Sequence, residues 1–170
     1  MSNVVIVDAV RTPIGKRNGG LSTLHPAQVL ATVQQAIVER TGIDPSVIDQ
    51  VIGGCVSQVG EQAFNIGRKL ALEPIVDFEV AAQQALNVTR TAWLSAGLPI
   101  TTAATTVDTQ CGSSQQATNL ATALVGSGVV DVALACGVEV MSRIPIGVGG
   151  SKALGLGIPI PKTYFDQYEM

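Results

Sequence analysis

Charge, aromatic rings and histidine are all scarce in this 170-residue sequence: 14% of residues are charged, 4% are aromatic and one is a histidine. With a net charge of -3, it offers no basic cluster of the kind that holds nucleic acid or an anionic membrane, so neither partner is expected. Its longest apolar runs are too short to span a bilayer, and the run 129–140 is broken by Asp131. The first residues carry no basic-then-apolar signal pattern. The three cysteines, Cys55, Cys111 and Cys136, have no metal-ligand spacing and are too few and odd in number for a disulfide framework. A reducing, cytoplasmic setting without a metal site is the expectation.

What is abundant points to a soluble globular enzyme fragment. Hydrophobic residues make up 46% of the chain, enough to bury a core of ordinary domain size, and eighteen glycines suit tight α/β packing. Residues 3–10 read as a buried strand and 11–25 as a glycine-containing loop, whose Arg11, Lys16 and Arg17 suit a solvated surface. Residues 26–40 carry Val29, Leu30, Val33, Ala36 and Ile37 at helical spacing, with Gly42 as a stop.

A turn at Asp44-Pro45 leads to a second strand, 48–56, in which Gly53-Gly54 either distorts the strand or admits a close neighbour. Residues 102–108 form a third strand candidate. Ala117, Leu120, Ala121 and Leu124 share a helical face that ends at 126–128, and 131–140 reads as a strand buried on both sides. Strand alternating with helix implies a layered α/β fold, with a mostly parallel or mixed sheet packed between helices. Ligands of such sheets gather beyond the carboxyl ends of the strands.

Cys111 falls at that place. It follows the strand candidate 102–108 and precedes Gly112-Ser113-Ser114, where the helix begins. Unpaired N–H groups and the positive end of the helix dipole stabilise negative charge on a sulfur there, and the small residues leave room for a substrate. Taken alone, a free cysteine is more often a small core hydrophobe, the reading given to Cys55 and Cys136 in their apolar strands.

Several segments, in order, change that balance. Val4-Val5-Ile6-Val7-Asp8-Ala9-Val10-Arg11-Thr12-Pro13-Ile14-Gly15-Lys16 with Gly19-Gly20-Leu21-Ser22 opens the series. Val51-Ile52-Gly53-Gly54-Cys55-Val56 with Gly60-Glu61-Gln62, then Ala96-Gly97-Leu98-Pro99, Cys111, and Gly137-Val138-Glu139-Val140-Met141-Ser142 complete it. Together they resemble the amino-terminal half of the thiolases over nearly the whole chain. The form Asp108-Thr109-Gln110-Cys111-Gly112-Ser113 with Gln115-Gln116-Ala117 is most similar to actinobacterial lipid- and steroid-degrading thiolases.

The resemblance implies a thiolase-like fold, of which residues 1–143 would be the amino-terminal domain and 144–170 the start of a loop region shaping the coenzyme A site. It implies acyl transfer between coenzyme A thioesters: thiolysis of a 3-oxoacyl-coenzyme A, or the reverse condensation. Cys111 would be the nucleophile that carries the acyl group, with its backbone N–H in the oxyanion hole. Met141, which follows a strand into a loop, is a candidate to line the acyl pocket, although methionine more often fills core gaps. Coenzyme A and acyl-coenzyme A are substrates in this reading, and no cofactor is bound. Family members are homodimers or homotetramers, so an oligomer is expected, or else a separate chain carrying the carboxyl-terminal half.

A nucleophilic cysteine needs a base, and His25, the sole histidine, sits before Pro26 where a surface or capping role fits it better. In thiolases the activating histidine and a second acid–base cysteine lie in the carboxyl-terminal half, which leads to the expectation that the 170-residue chain alone is inactive. A non-catalytic thiolase-like fragment that acts as an assembly or lipid-binding partner is the alternative.

Two departures from the family pattern stand out. Ser114 occupies a position where thiolases usually have glycine. Glu61-Gln62-Ala63-Phe64-Asn65-Ile66-Gly67-Arg68 recurs as Gln83-Gln84-Ala85-Leu86-Asn87-Val88-Thr89-Arg90, twenty-two residues later, which reads as an insertion at 69–90. Coincidental similarity of two amphipathic stretches, or a tolerated surface insertion, are the plainer accounts of it.

Overall fold

A computed structural model of the chain describes residues 3–62, 87–148, 161, 163 and 164. Part of the expected insertion, 69–86, and most of the loop region from 149 onward lie outside the described residues.

The first helix, α1 (Pro26–Thr41), is fixed at both ends by its sequence. The ring Nδ1 of His25 accepts from Ala27 N, Gln28 Oε1 accepts from His25 N, and Pro26 opens the first turn. Gly42, at φ 65°, closes the helix with its N–H on Val38 O. The single histidine is therefore a capping residue, occupied within its own helix.

Three strands follow, β1 (Gln50–Gly54), β2 (Ala103–Val107) and β3 (Ala133–Gly137), with α2 (Val88–Ser95) and α3 (Ser113–Gly126) between them. The sheet order is β2-β1-β3 and both pairings are parallel. The two-residue period of β1 divides its side chains between two helical layers. Val51 packs with Trp93, Ile48, Ala104 and Leu134 on the side of α1 and α2, while Ile52 packs with Ala117, Ala121, Val107 and Ala135 on the side of α3. Val51 and Ile52 are buried to 0% and 2% exposure, each contributing on the order of 1.5–3 kcal/mol of apolar burial. Trp93, fully buried, satisfies its indole by donating to Pro99 O at 2.7 Å.

The glycine pair in β1 admits close neighbours and does not distort the strand. A side chain at Gly53 would collide with Thr89 of α2, and one at Gly54 with the backbone of Ser113 and Ser114 at the start of α3. Each helix therefore lies closer to the sheet than any larger residue would permit.

Residues 3–10 overturn one expectation. They belong to no strand, and Val5, Ile6 and Val7 are 73%, 80% and 81% exposed. Among the described residues β3 is an edge strand. A cavity of about 1460 Å³ is lined by 3–10 together with α1 side chains such as Val33 and Ile37, and by β3. The apolar, β-branched composition suits a strand, but a strand also needs a hydrogen-bonding neighbour, which composition cannot supply.

Candidate active site

The register aligns the carboxyl ends of the three strands in one row, Val107, Gly54 and Gly137. Two of the three carry no side chain, and the first turn of α3 presses onto them. A Cβ on Gly54 would stand 2.4 Å from Ser114 N, and one on Gly137 would stand 1.9 Å from Ser114 Oγ. Ser114 is thus accommodated by the absence of a side chain at residue 137.

Between β2 and α3 the chain makes a tight elbow. Gln110 has φ 56°, a left-handed conformation unusual for a residue with a side chain. Its N–H donates to Asp108 Oδ1 at 2.7 Å, and its carbonyl accepts from Ser113 N at 3.0 Å and Ser113 Oγ at 2.6 Å. Gly112 N donates to Thr109 O at 3.2 Å, and Thr109 N donates to Ser113 Oγ at 3.1 Å. These bonds leave Cys111 exposed at the tip, one residue before Gly112, which caps α3 without a side-chain bond.

The other two thiols differ from it. Cys55, 2% exposed, is pushed up to about 12 by burial first and then by the Glu139 carboxylate, whose Oε2 lies 3.7 Å from its sulfur. Cys136 is half-buried on the α1 side of β3, lines the large cavity, and is likewise pushed up to about 12 by the atoms packed around it. Met141 is 54% exposed and lines that same cavity, which Cys111 does not reach, so the structure does not bring the two into one cavity.

Glu139 is the organising residue that sequence reading passed over. Its carboxylate accepts from Val56 N at 2.8 Å, from Ser57 N and from Gln62 Nε2 at 3.0 Å, while Gln62 Oε1 accepts from Val140 N. The loop after β1 is thereby tied to the loop after β3, beyond the row of strand ends. A lone carboxylate following an apolar strand was the available signal, since such a group needs partners once half-buried. Glu61 and Arg143 add a two-pronged ion pair nearby, and Arg143 also reaches Thr23 O. Among the described residues no group of His, Cys, Asp and Glu could hold a metal ion, and no helix is long and apolar enough to cross a membrane.

Residues 4–85 and 78–159 each match the sequence profile of the thiolase amino-terminal domain. The chain belongs to the thiolase family. It is 40% identical over 168 residues to a steroid 3-ketoacyl-CoA thiolase of Mycobacterium tuberculosis, covering 99% of this chain and 36% of that one. A 3-ketoacyl-CoA thiolase of Aliivibrio salmonicida is 35% identical over 165 residues, covering 96% and 37%. A beta-ketoadipyl-CoA thiolase of Acinetobacter baylyi is 36% identical over 156 residues, covering 89% and 33%. The crystal structure of the Bacillus anthracis acetyl-CoA acetyltransferase superposes with a TM-score of 0.60 at 33% identity, over 78% of this chain and 28% of that one. This thiolase chain thus spans about a third of the length of the curated relatives it matches.

Proposed function

We propose that this thiolase chain carries the nucleophile of an acyl transfer between coenzyme A thioesters, and that Cys111 is that nucleophile. The observation that supports it most is the elbow: Cys111 is the exposed thiol of the three, at the tip of a hydrogen-bonded turn beyond the carboxyl ends of the strands. The Cys111 sulfur, once deprotonated, would attack the 3-oxo carbon of a 3-oxoacyl-coenzyme A, leaving its thioester intact. The carbon–carbon bond to the departing acetyl-coenzyme A carbanion breaks, and that carbanion takes up a proton. A free coenzyme A thiolate then displaces the cysteine from the acyl group.

The negative charge that develops on the carbonyl oxygen needs fixed donors, each worth about 2.7–4 kcal/mol when removed. The Cys111 N–H is the donor this chain would contribute. The proton acceptor for the thiol must come from elsewhere, because the ring Nδ1 of His25 is committed to the cap of α1. The chain by itself is therefore inactive in this reading. Met141, exposed in the loop after β3, stays in this reading as the candidate to line the acyl pocket, although it lines a cavity that Cys111 does not reach. A homodimer or homotetramer, or association with a chain carrying the carboxyl-terminal half, belongs to the same reading.

The test uses the purified chain with iodoacetamide near pH 8 and with acetoacetyl-coenzyme A. We expect one carboxamidomethyl adduct, mapped to Cys111 by mass spectrometry, and no thiolysis by the chain alone. Equal slow modification of Cys55, Cys111 and Cys136 would favour the non-catalytic alternative, and measurable thiolysis would overturn the inactivity of the isolated chain.

A further inference from the structure

The near-repeat places two candidate segments before a single pair of seats. The front seat holds Glu61 and Gln62. Gln62 is fully buried with its side-chain amide bonded to Ser57 O, Glu139 and Val140 N, and Glu61 pairs with Arg143. The chain enters this seat through Gly60 at φ 55°.

The back seat holds residues 87–93. Asn87 caps α2 by accepting from Arg90 N, and it donates to Ala104 O of β2. Thr89 Oγ1 lies 2.6 Å from Thr106 Oγ1 and fills the space over Gly53, while Arg90 reaches the carbonyls of Ile100 and Thr102. Thr91, Ala92 and Trp93 complete the buried face.

The two copies are unequal in what they could do at each seat. At the front, the second copy would bring Ala82 to the place of Gly60, where a side chain is disfavoured at positive φ, and Gln83 to the place of Glu61, removing the charge opposite Arg143. At the back, the first copy would bring Gly67 to the place of Thr89, abolishing the bond to Thr106 and leaving a gap over Gly53. It would also bring Lys69, Leu70 and Ala71 to the places of Thr91, Ala92 and Trp93. That buries an unpaired ammonium, overfills an alanine site and empties a tryptophan site. The two overlapping matches to one family profile, 4–85 and 78–159, break the chain at this same place.

We infer that the chain carries a tandem repeat of one structural segment, and that the fold uses the front of the first copy and the back of the second. Residues 63–84 are then surplus, and Gln62 joined to Ala85 satisfies both seats with the spacing of a single copy. The described seats move the surplus forward from 69–90, because 87–90 are built into the core.

Two deletions of equal length test this, read by thermal unfolding and by the indole N–H resonance of Trp93, the sole tryptophan. Deleting 63–84 keeps Thr89; deleting 69–90 keeps Gly67 in its stead. The first variant is expected to preserve the Trp93 resonance and to unfold at the same temperature as the full chain or a few degrees higher, because the length of chain closed between the two seats is shortened. The second is expected to unfold several degrees below the first. In the full chain, Thr89→Gly should lower the unfolding temperature while Gly67→Thr leaves it unchanged. Loss of folding on deleting 63–84, equal stability of the two deletions, or a Gly67→Thr effect as large as that of Thr89→Gly would each overturn the inference.

Discussion

Ser114 and Gly137 are fitted to each other across α3 and β3: the serine hydroxyl occupies the space that a Cβ at residue 137 would need, 1.9 Å away. Because the neighbour is a small side chain, this relationship can be dissected by paired substitution.

Gly137→Ala is expected to destabilise the fold by about 1–3 kcal/mol through overpacking. Ser114→Gly should restore part of that loss, and only part, since the same Cβ also lies 2.9 Å from the carbonyl of Gly54. Gly54→Ala should not be rescued by any change at Ser114, because it meets backbone atoms of Ser113 and Ser114. Urea unfolding of the single and double variants decides the matter, and additive effects of Gly137→Ala and Ser114→Gly would refute the fit.

The thiols should separate by pH. Both Cys55 and Cys136 are held near 12, above the ordinary 9.0, so folding favours their neutral form. Their contribution to stability is complete below about pH 9 and is lost as pH climbs toward 12, which unfolding experiments between pH 8 and 10.5 would register as a steady decline. Over the same range alkylation of both should stay slow. Glu139→Gln removes a charge that raises Cys55, and it disturbs a carboxylate that accepts from three N–H donors and from the Cys55 thiol. It should quicken alkylation of Cys55 relative to Cys136 and cost roughly 1–3 kcal/mol of stability. An unchanged Cys55 to Cys136 ratio would count against the pairing.

The amino-terminal apolar segment makes the opposite prediction. Ile6 is 80% exposed, so Ile6→Lys should change unfolding free energy by no more than about 0.5 kcal/mol. It should also reduce self-association at high concentration, because exposed apolar chain is adhesive. A fall in stability like that of a core substitution, measured on the monomer, would mean that residues 3–10 are packed in solution.

How much of this was legible in the sequence varied with the range of the interactions involved. Local signals sufficed for α1, where His25, Pro26 and Gly42 mark both ends, and for the elbow at Cys111, where small residues separate a β-rich run from a helical one. The glycine pair in β1 announced close neighbours without saying which. Contacts between distant residues left no such trace: Gln62 meets Glu139 across 77 positions, and nothing near either one names the other. Residues 3–10 failed for the same reason, since sheet membership is a property of two segments and only one was visible.

Gln110 has a consequence for any attempt to alter the chemistry at the tip. Its left-handed backbone is held by Asp108 on one side and Ser113 on the other, so the direction in which the sulfur points is decided one residue upstream of the sulfur itself. Glycine at 110 would relax that conformation and let the thiol wander, whereas a β-branched residue would resist adopting it at all. The aim of the Cys111 thiol is therefore written in a residue that carries no reactive group.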